Sequence, residues 1–168
     1  DRNLLKEITF TRQRIEIYKI GILVDLAKQF IENKYSVVIF VNFTKSIKLL
    51  CKLLKTKCII WGKQTLEERQ YNIDRFQENK EQIIICNIRA GGQSINLHDI
   101  HGNHPRVSLI IPSYSSTQLV QALGRIHRAG AKTPAMQKII FCSGTIEEHI
   151  HERLDHKIKH LREINDND

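Results

Sequence analysis

Five short, largely apolar runs punctuate this 168-residue chain, at Val37–Val41, Cys58–Trp61, Ile83–Cys86, Val107–Ile111 and Gln137–Cys142. They restrict the fold more than any other feature. The first, Val-Val-Ile-Phe-Val, is continuously apolar and β-branched, the pattern of a strand covered on both faces. Between the runs lie amphipathic segments. Ile47, Leu50, Cys51 and Leu54 mark one helix, Thr65 to Phe76 a second and Ser115 to Arg128 a third. Ahead of them, Leu23, Leu26, Ala27, Phe30 and Ile31 keep helical spacing within a segment predicted to run from Thr11 to Asn33. After them, Ile150, Leu154, Ile158 and Leu161 line one side of a charged helix predicted from Ile146 to about Ile164. Buried strands alternating with helices predict an α/β fold: a mostly parallel sheet of at least five strands, helices on both faces and a C-terminal helix.

Helix starts are written locally. Thr65 with Glu68, Ser115 with Gln118 and Thr145 with Glu148 each have capping-box spacing. In the segment Ser115 to Arg128, Leu119, Ala122, Leu123 and Ile126 form one stripe, and Gln118, Gln121, Arg125 and Arg128 fall opposite. Guanidinium forks on such a face suit a polyanion, since they match phosphate oxygens bidentately and stay charged. The plain alternative is a solvated basic face. A net charge of +8 agrees with an acidic partner such as nucleic acid, although charge alone argues only for attraction.

Composition excludes several classes. With 41% hydrophobic and 26% charged residues the chain reads as one ordinary globular domain, with no run long enough to span a bilayer and no secretory leader. An intracellular protein is expected. Cys51, Cys58, Cys86 and Cys142 form no C-x-x-C pair, and three lie within apolar runs, so free thiols in a reducing compartment are expected. The chain begins at Asp1, as a fragment of a longer protein would, and its Asn-Asp-Asn-Asp end (165–168) reads as a frayed tail.

In an open parallel sheet, ligands collect at the carboxyl ends of the strands. That rule gathers Asn42 to Thr44, Gly62 to Gln64, Asn87 to Gly92 and Pro112 to Ser116 onto one rim. Within it, Gly91-Gly92 frees backbone amides to approach phosphate and Arg89 adds charge. The chain lacks a G-x-x-x-x-G-K-[ST] loop, a paired acidic motif after an apolar strand and a G-x-S-x-G elbow. Any nucleotide chemistry here is therefore shared with other sequence.

The ordered set resembles the second RecA-like lobe of superfamily-two helicases. It comprises Asn42-x-Thr44 after the first strand, Gly91-Gly92-x-x-Ile95-Asn96-Leu97, and Gln121-x-x-Gly124-Arg125-x-x-Arg128. Gly124 to Gly130, with Gly144-Thr145-Ile146-Glu147-Glu148 before a basic helix, is most similar to the Swi/Snf group of double-stranded DNA translocases. The stretch from Ile95 through Val107 also resembles Strawberry notch-type helicases. The resemblance implies a RecA-like three-layer sandwich over residues 1–168, forming the C-terminal motor lobe of an ATP-dependent helicase or translocase. ATP with Mg2+ would be bound mainly by a first RecA-like lobe of the same polypeptide, so this lobe alone would be an inactive monomer. Arg125 and Arg128 would be arginine fingers, with Gly92, Asn96, Gln121 and Gly124 completing the nucleotide site. Asn42, Thr44, Lys63, Asn87 and Arg89 would grip nucleic acid, double-stranded DNA in preference to RNA.

The sequence departs from the family at Asn87, where threonine or serine is common, in the longer loop His98 to Arg106, and at Ala131-Lys132-Thr133-Pro134. The competing function is a degenerate lobe acting as a nucleic-acid or protein scaffold without catalysis. His98, His101 and His104 are evenly spaced but have no cysteine partners, so no metal is assigned. Trp61 closes an apolar run and is expected in the core, with base stacking as the alternative. Richness in isoleucine, lysine and asparagine fits an AT-rich genome, as in a large DNA virus or a parasite.

Overall fold

The computed structural model describes residues 2–90, 95–145, 147–149, 152, 155 and 156. Gly92, most of the expected C-terminal helix and the 165–168 tail lie outside them. The described elements are α1 (Arg2–Tyr18), α2 (Ile20–Glu32), β1 (Ser36–Val41), α3 (Thr44–Leu54), β2 (Ile59–Ile60), α4 (Leu66–Gln77), β3 (Ile83–Asn87), β4 (Arg106–Ile110), α5 (Ser116–Leu123) and β5 (Ala135–Ile139). The strands form one parallel sheet in the order β2-β3-β1-β4-β5.

Alternation of side chains along β1 generates three layers. Val38 and Phe40 face one way and pack with Ile84, Cys86, Ile110 and Phe76 of α4, together with Leu119 and Ala122 of α5. Val37, Ile39 and Val41 face the other way, against Leu23 and Ala27 of α2 and Ile47 and Leu50 of α3. Every β1 residue is buried, as its unbroken apolar run requires. All four cysteines are free, and burial pushes the Cys58 thiol up to about 12. Trp61 is half-buried against the α2/α3 side of the core. No helix among the described residues is long and apolar enough to cross a membrane.

Three boundaries differ from the sequence expectation by more than one residue. The segment expected to be one helix from Thr11 to Asn33 begins at Arg2 and breaks at Lys19. Burial explains the break: Lys19 is 3% exposed, donates to Ile140 O at 3.0 Å and pairs with Glu147. Turning at this residue brings its ammonium inward. The fifth strand is Ala135–Ile139 rather than Gln137–Cys142, because it is an edge strand paired with Arg106–Ile110 and half its surface faces solvent. Apolarity there does not mark the strand. The helix expected to reach Arg128 ends at Leu123, with Gly124 as its cap. Beyond it the Arg125 carbonyl accepts from Leu97 N at 3.0 Å, so the chain bonds to the 95–97 segment in place of another helical turn.

Of the three capping boxes, Thr65 and Glu68 form the complete reciprocal pair. Ser115 accepts from Gln118 N, but Gln118 accepts from Ser113 Oγ instead of reaching back. Glu148 reaches back one residue further, to Gly144 N at 2.7 Å.

The segment from 98 to 105, leading into β4, is organised by Asp99, which is 1% exposed. Its carboxylate accepts from the amides of His101, Gly102 and His104 and from the Thr133 hydroxyl, at 2.9 to 3.1 Å. Gly102 sits at φ +91°, a backbone conformation that favours glycine, and a Cβ there would lie a tight 3.3 Å from Lys132 Cβ. Burial raises the Asp99 pKa, but the donors more than offset it and leave the carboxyl below its ordinary range. The folded pKa is thus depressed. Its contribution to stability is present above the unfolded value near 3.9 and is lost as pH falls through the folded one. Asp99→Asn is expected to cost about 1–3 kcal/mol at pH 7, since an amide group would face a donor. Denaturant melts should show that deficit shrinking as pH falls toward the folded pKa; a pH-independent deficit would contradict it.

Candidate nucleotide and nucleic-acid sites

The sequence-derived residues separate into two groups. The first occupies the carboxyl ends of the strands. Asn42, just past β1, is half-buried, and its side chain donates to Glu16 Oε2 at 2.8 Å and to Pro112 O at 3.1 Å. Its carbonyl accepts from Asn87 Nδ2 at 3.1 Å, and Asn87 Oδ1 accepts from Arg89 N at 3.0 Å. Both asparagine amides are thus engaged in tying the ends of β3, β1 and β4 together. They shape the rim, while exposed Thr44, at the first turn of α3, and exposed Arg89 offer groups to solvent. Lys63 follows the edge strand β2 and lines a separate groove of about 580 Å³ with Trp61, Gln64 and Tyr71.

Local reasoning missed Glu16. Its buried carboxylate accepts from Asn42 N at 2.9 Å and from Phe43 N at 3.0 Å as well as from the Asn42 side chain. Helix α1 thereby fixes the entry to α3, whose N-cap, Phe43, has no capping side chain. A lone glutamate on a polar helix carries no signal of this in the sequence.

The second group lies beyond the end of α5. Arg128 is exposed, donates from Nε to Gly124 O at 3.1 Å and from Nη1 to Asn96 Oδ1. Asn96 is held in turn by its own carbonyl, which accepts from Gln77 Nε2 at 2.9 Å; Gln77 also donates to His98 O at 3.1 Å and accepts from Arg106. Arg106 begins β4, so this group sits toward the amino ends of the strands and away from the rim. Helix α5 starts at the rim, at Ser116, and runs away from it, so the arginines beyond its end fall at the other side of the sheet. Arg125 is also not projected into solvent: it is 7% exposed and donates to Ile95 O at 3.5 Å. Burial, with Arg128 adding to it, lowers its pKa. Gln121 remains exposed on α5. Gln77 is a second missed residue, since nothing in its local pattern distinguishes it from the solvated face of α4. Among the described residues, no group of three His, Cys, Asp or Glu side chains could hold a metal ion, and the Asp99 loop carries His98, His101 and His104.

A five-stranded parallel sheet in this order, covered on both faces and carrying the Asn96–Gly124–Arg125–Arg128 group, is a RecA-like lobe of the kind found as the second lobe of superfamily-two helicases. The chain belongs to the helicase conserved C-terminal domain family, whose profile matches residues 18–130. It is 44% identical over 168 residues to an Acanthamoeba polyphaga mimivirus protein named as an ATP-dependent RNA helicase, covering 99% of this chain and 31% of that protein. It is 32% identical over 133 residues to the Saccharomyces cerevisiae DNA repair and recombination protein RAD54, covering 76% of this chain and 14% of that one. The C-terminal part of the Fun30 ATPase domain superposes with a TM-score of 0.68 and 30% identity, over 80% of this chain and 44% of that one. The C-terminal domain of the DEAD-box protein Dbp5, at 21% identity and a TM-score of 0.53, shares the fold over 74% of this chain and 71% of that one. The chain thus spans less than a third of the length of these two sequence relatives.

Proposed function

We propose that this lobe is the C-terminal half of an ATP-dependent nucleic-acid translocase, closing on a first lobe to complete one nucleotide site. The observation that carries the reading is Arg128. Its guanidinium is exposed and steadied by two neutral acceptors, and among the described residues it pairs with no carboxylate. Such a group can be exchanged onto a phosphate at the loss of two neutral hydrogen bonds. ATP would supply the transferred phosphoryl group, with Mg2+ held by carboxylates of the other lobe.

In this chain Arg128 would meet charge that develops on the phosphoryl oxygens, and Gln121 and Asn96 would border the nucleotide. Buried Arg125 would chiefly set the 95–97 segment that orients Asn96. Gly92, outside the described residues, would help couple the nucleotide to the nucleic-acid grip. Thr44, Arg89 and Lys63 would hold backbone phosphates, with Asn42 and Asn87 shaping the surface that presents them; such contacts give position without sequence readout. DNA as the preferred track, read as duplex from the resemblance to the Swi/Snf group, is supported by the similarity to the DNA repair and recombination protein RAD54, while the viral relative's name points to RNA.

Steady-state ATP hydrolysis by the full polypeptide, measured at one stated salt with duplex DNA, single strands and RNA, tests both parts. Duplex DNA is expected to stimulate most, and the isolated 168 residues to be inert. Turnover by the isolated lobe at an ordinary enzyme rate would overturn the two-lobe reading; stronger stimulation by RNA would overturn the choice of track.

A further inference from the structure

We propose that Arg12 of α1 is an additional contact to a nucleic-acid phosphate, supplied from ahead of the residues that the family profile covers. The proposal rests on reading the rim as the nucleic-acid grip. Arg12 is half-buried, with its guanidinium 3.7 Å from the centroid of Tyr114 and 5.9 Å from that of Phe43. Both rings belong to rim loops: Phe43 follows Asn42 after β1, and Tyr114 follows Pro112 after β4. A side chain so constrained loses little further rotamer freedom on binding, which distinguishes it from the long mobile cations of an ordinary helix surface.

Its electrostatic surroundings favour an anion. Among the described residues Arg12 forms no ion pair and no hydrogen bond. The two carboxylates that face it are already engaged: Glu16 accepts from Asn42 and Phe43, and Glu147 from Lys19 and Cys142 N. The third charged neighbour is Arg89; burial lowers the Arg12 pKa most, and the like charge of Arg89 adds to it, against the opposing influence of Tyr114 and the two glutamates. The mutual repulsion of the two guanidiniums is relieved when an anion binds beside them. A phosphodiester supplies that anion and presents in-plane oxygens to the fork.

The geometry also gives α1 a single purpose at the rim. Glu16, one turn after Arg12, accepts from the Asn42 side chain, and the Arg12 guanidinium itself lies over the aromatic ring of Tyr114. An α-helix places residues four apart on the same face, so one face of α1 both builds the rim and charges it.

The test uses the full polypeptide with Arg12→Gln, which keeps most of the stem, and Arg12→Lys, which keeps the charge. Equilibrium binding to duplex DNA and to single strands is measured from low to moderate salt, with thermal melts to confirm folding. Arg12→Gln is expected to weaken binding roughly five- to tenfold and to flatten the log-affinity against log-salt slope by about 0.9 on duplex or 0.7 on single strands. Arg12→Lys is expected to keep the wild-type slope. A weaker affinity with an unchanged slope in Arg12→Gln would mean that Arg12 acts through packing, and would overturn the proposal. Wild-type binding by both variants, while Arg89→Gln binds less well, would remove Arg12 and leave the rim reading standing. Unaltered binding by Arg12→Gln, Arg89→Gln and Thr44→Ala together would overturn the rim reading and this proposal with it.

Discussion

Arg128→Ala in the full polypeptide is expected to lower nucleic-acid-stimulated ATP hydrolysis on the order of 10³-fold, while leaving nucleic-acid affinity within about twofold of wild type. The separation of effects follows from position. Arg128 sits with Asn96 and Gly124, whereas Thr44 and Arg89 stand at the opposite strand ends. Its loss removes no rim charge. Arg128→Lys should recover little of the rate, because a point charge cannot present the planar fork that bridges phosphoryl oxygens. Arg125→Ala should look different: it empties a buried site beneath the 95–97 segment, so loss of stability should accompany loss of turnover. Steady-state turnover and a binding isotherm on the same preparations decide the matter. An Arg128→Ala variant that turns over normally removes it from the finger role.

The contrast between the two arginines shows where sequence reading succeeds and where it fails. Strands β1, β3 and β4 were legible because a strand covered on both faces needs an unbroken apolar run, and the run is there. The Thr65–Glu68 box was legible because both partners are local. The extent of α5 was not. Helical periodicity continues through Ile126, which is buried, but the carbonyl of Arg125 is taken by Leu97, nearly thirty residues earlier, and no local pattern encodes that bond. The same reason hid Glu16 and Gln77. Each serves the site through partners distant in sequence, Asn42 for one and Asn96 for the other. The rim rule correctly gathered Asn42, Asn87 and Pro112, which do bond to one another. It could not say that their amides would be used up in doing so.

The largest stability effect is expected at the corner between α1 and α2. Glu147→Ala should destabilise the fold by about 3–5 kcal/mol, because it leaves the Lys19 ammonium buried without its counter-charge and removes the acceptor of Cys142 N. At this chain length that corresponds to a fall in Tm of roughly 10 °C. Lys19 and Glu147 expose only 4% and 7% of their side chains, so added salt should restore little, unlike the exposed pair of Lys80 with Glu78. Replacing both partners, Lys19→Met with Glu147→Leu, should cost much less than the two single losses added together, since apolar groups of similar volume carry no desolvation penalty. Strictly additive losses in that cycle would show that the pair is not coupled. The consequence reaches the rim. Lys19 lies one turn beyond Glu16, and its pairing anchors the end of α1 to Ile140 and Glu147 past β5. A freed α1 would loosen Glu16 from Asn42 and carry Arg12 away from Tyr114. Single variants that remain folded at low temperature should therefore bind nucleic acid less tightly, and the apolar double variant should regain part of that affinity.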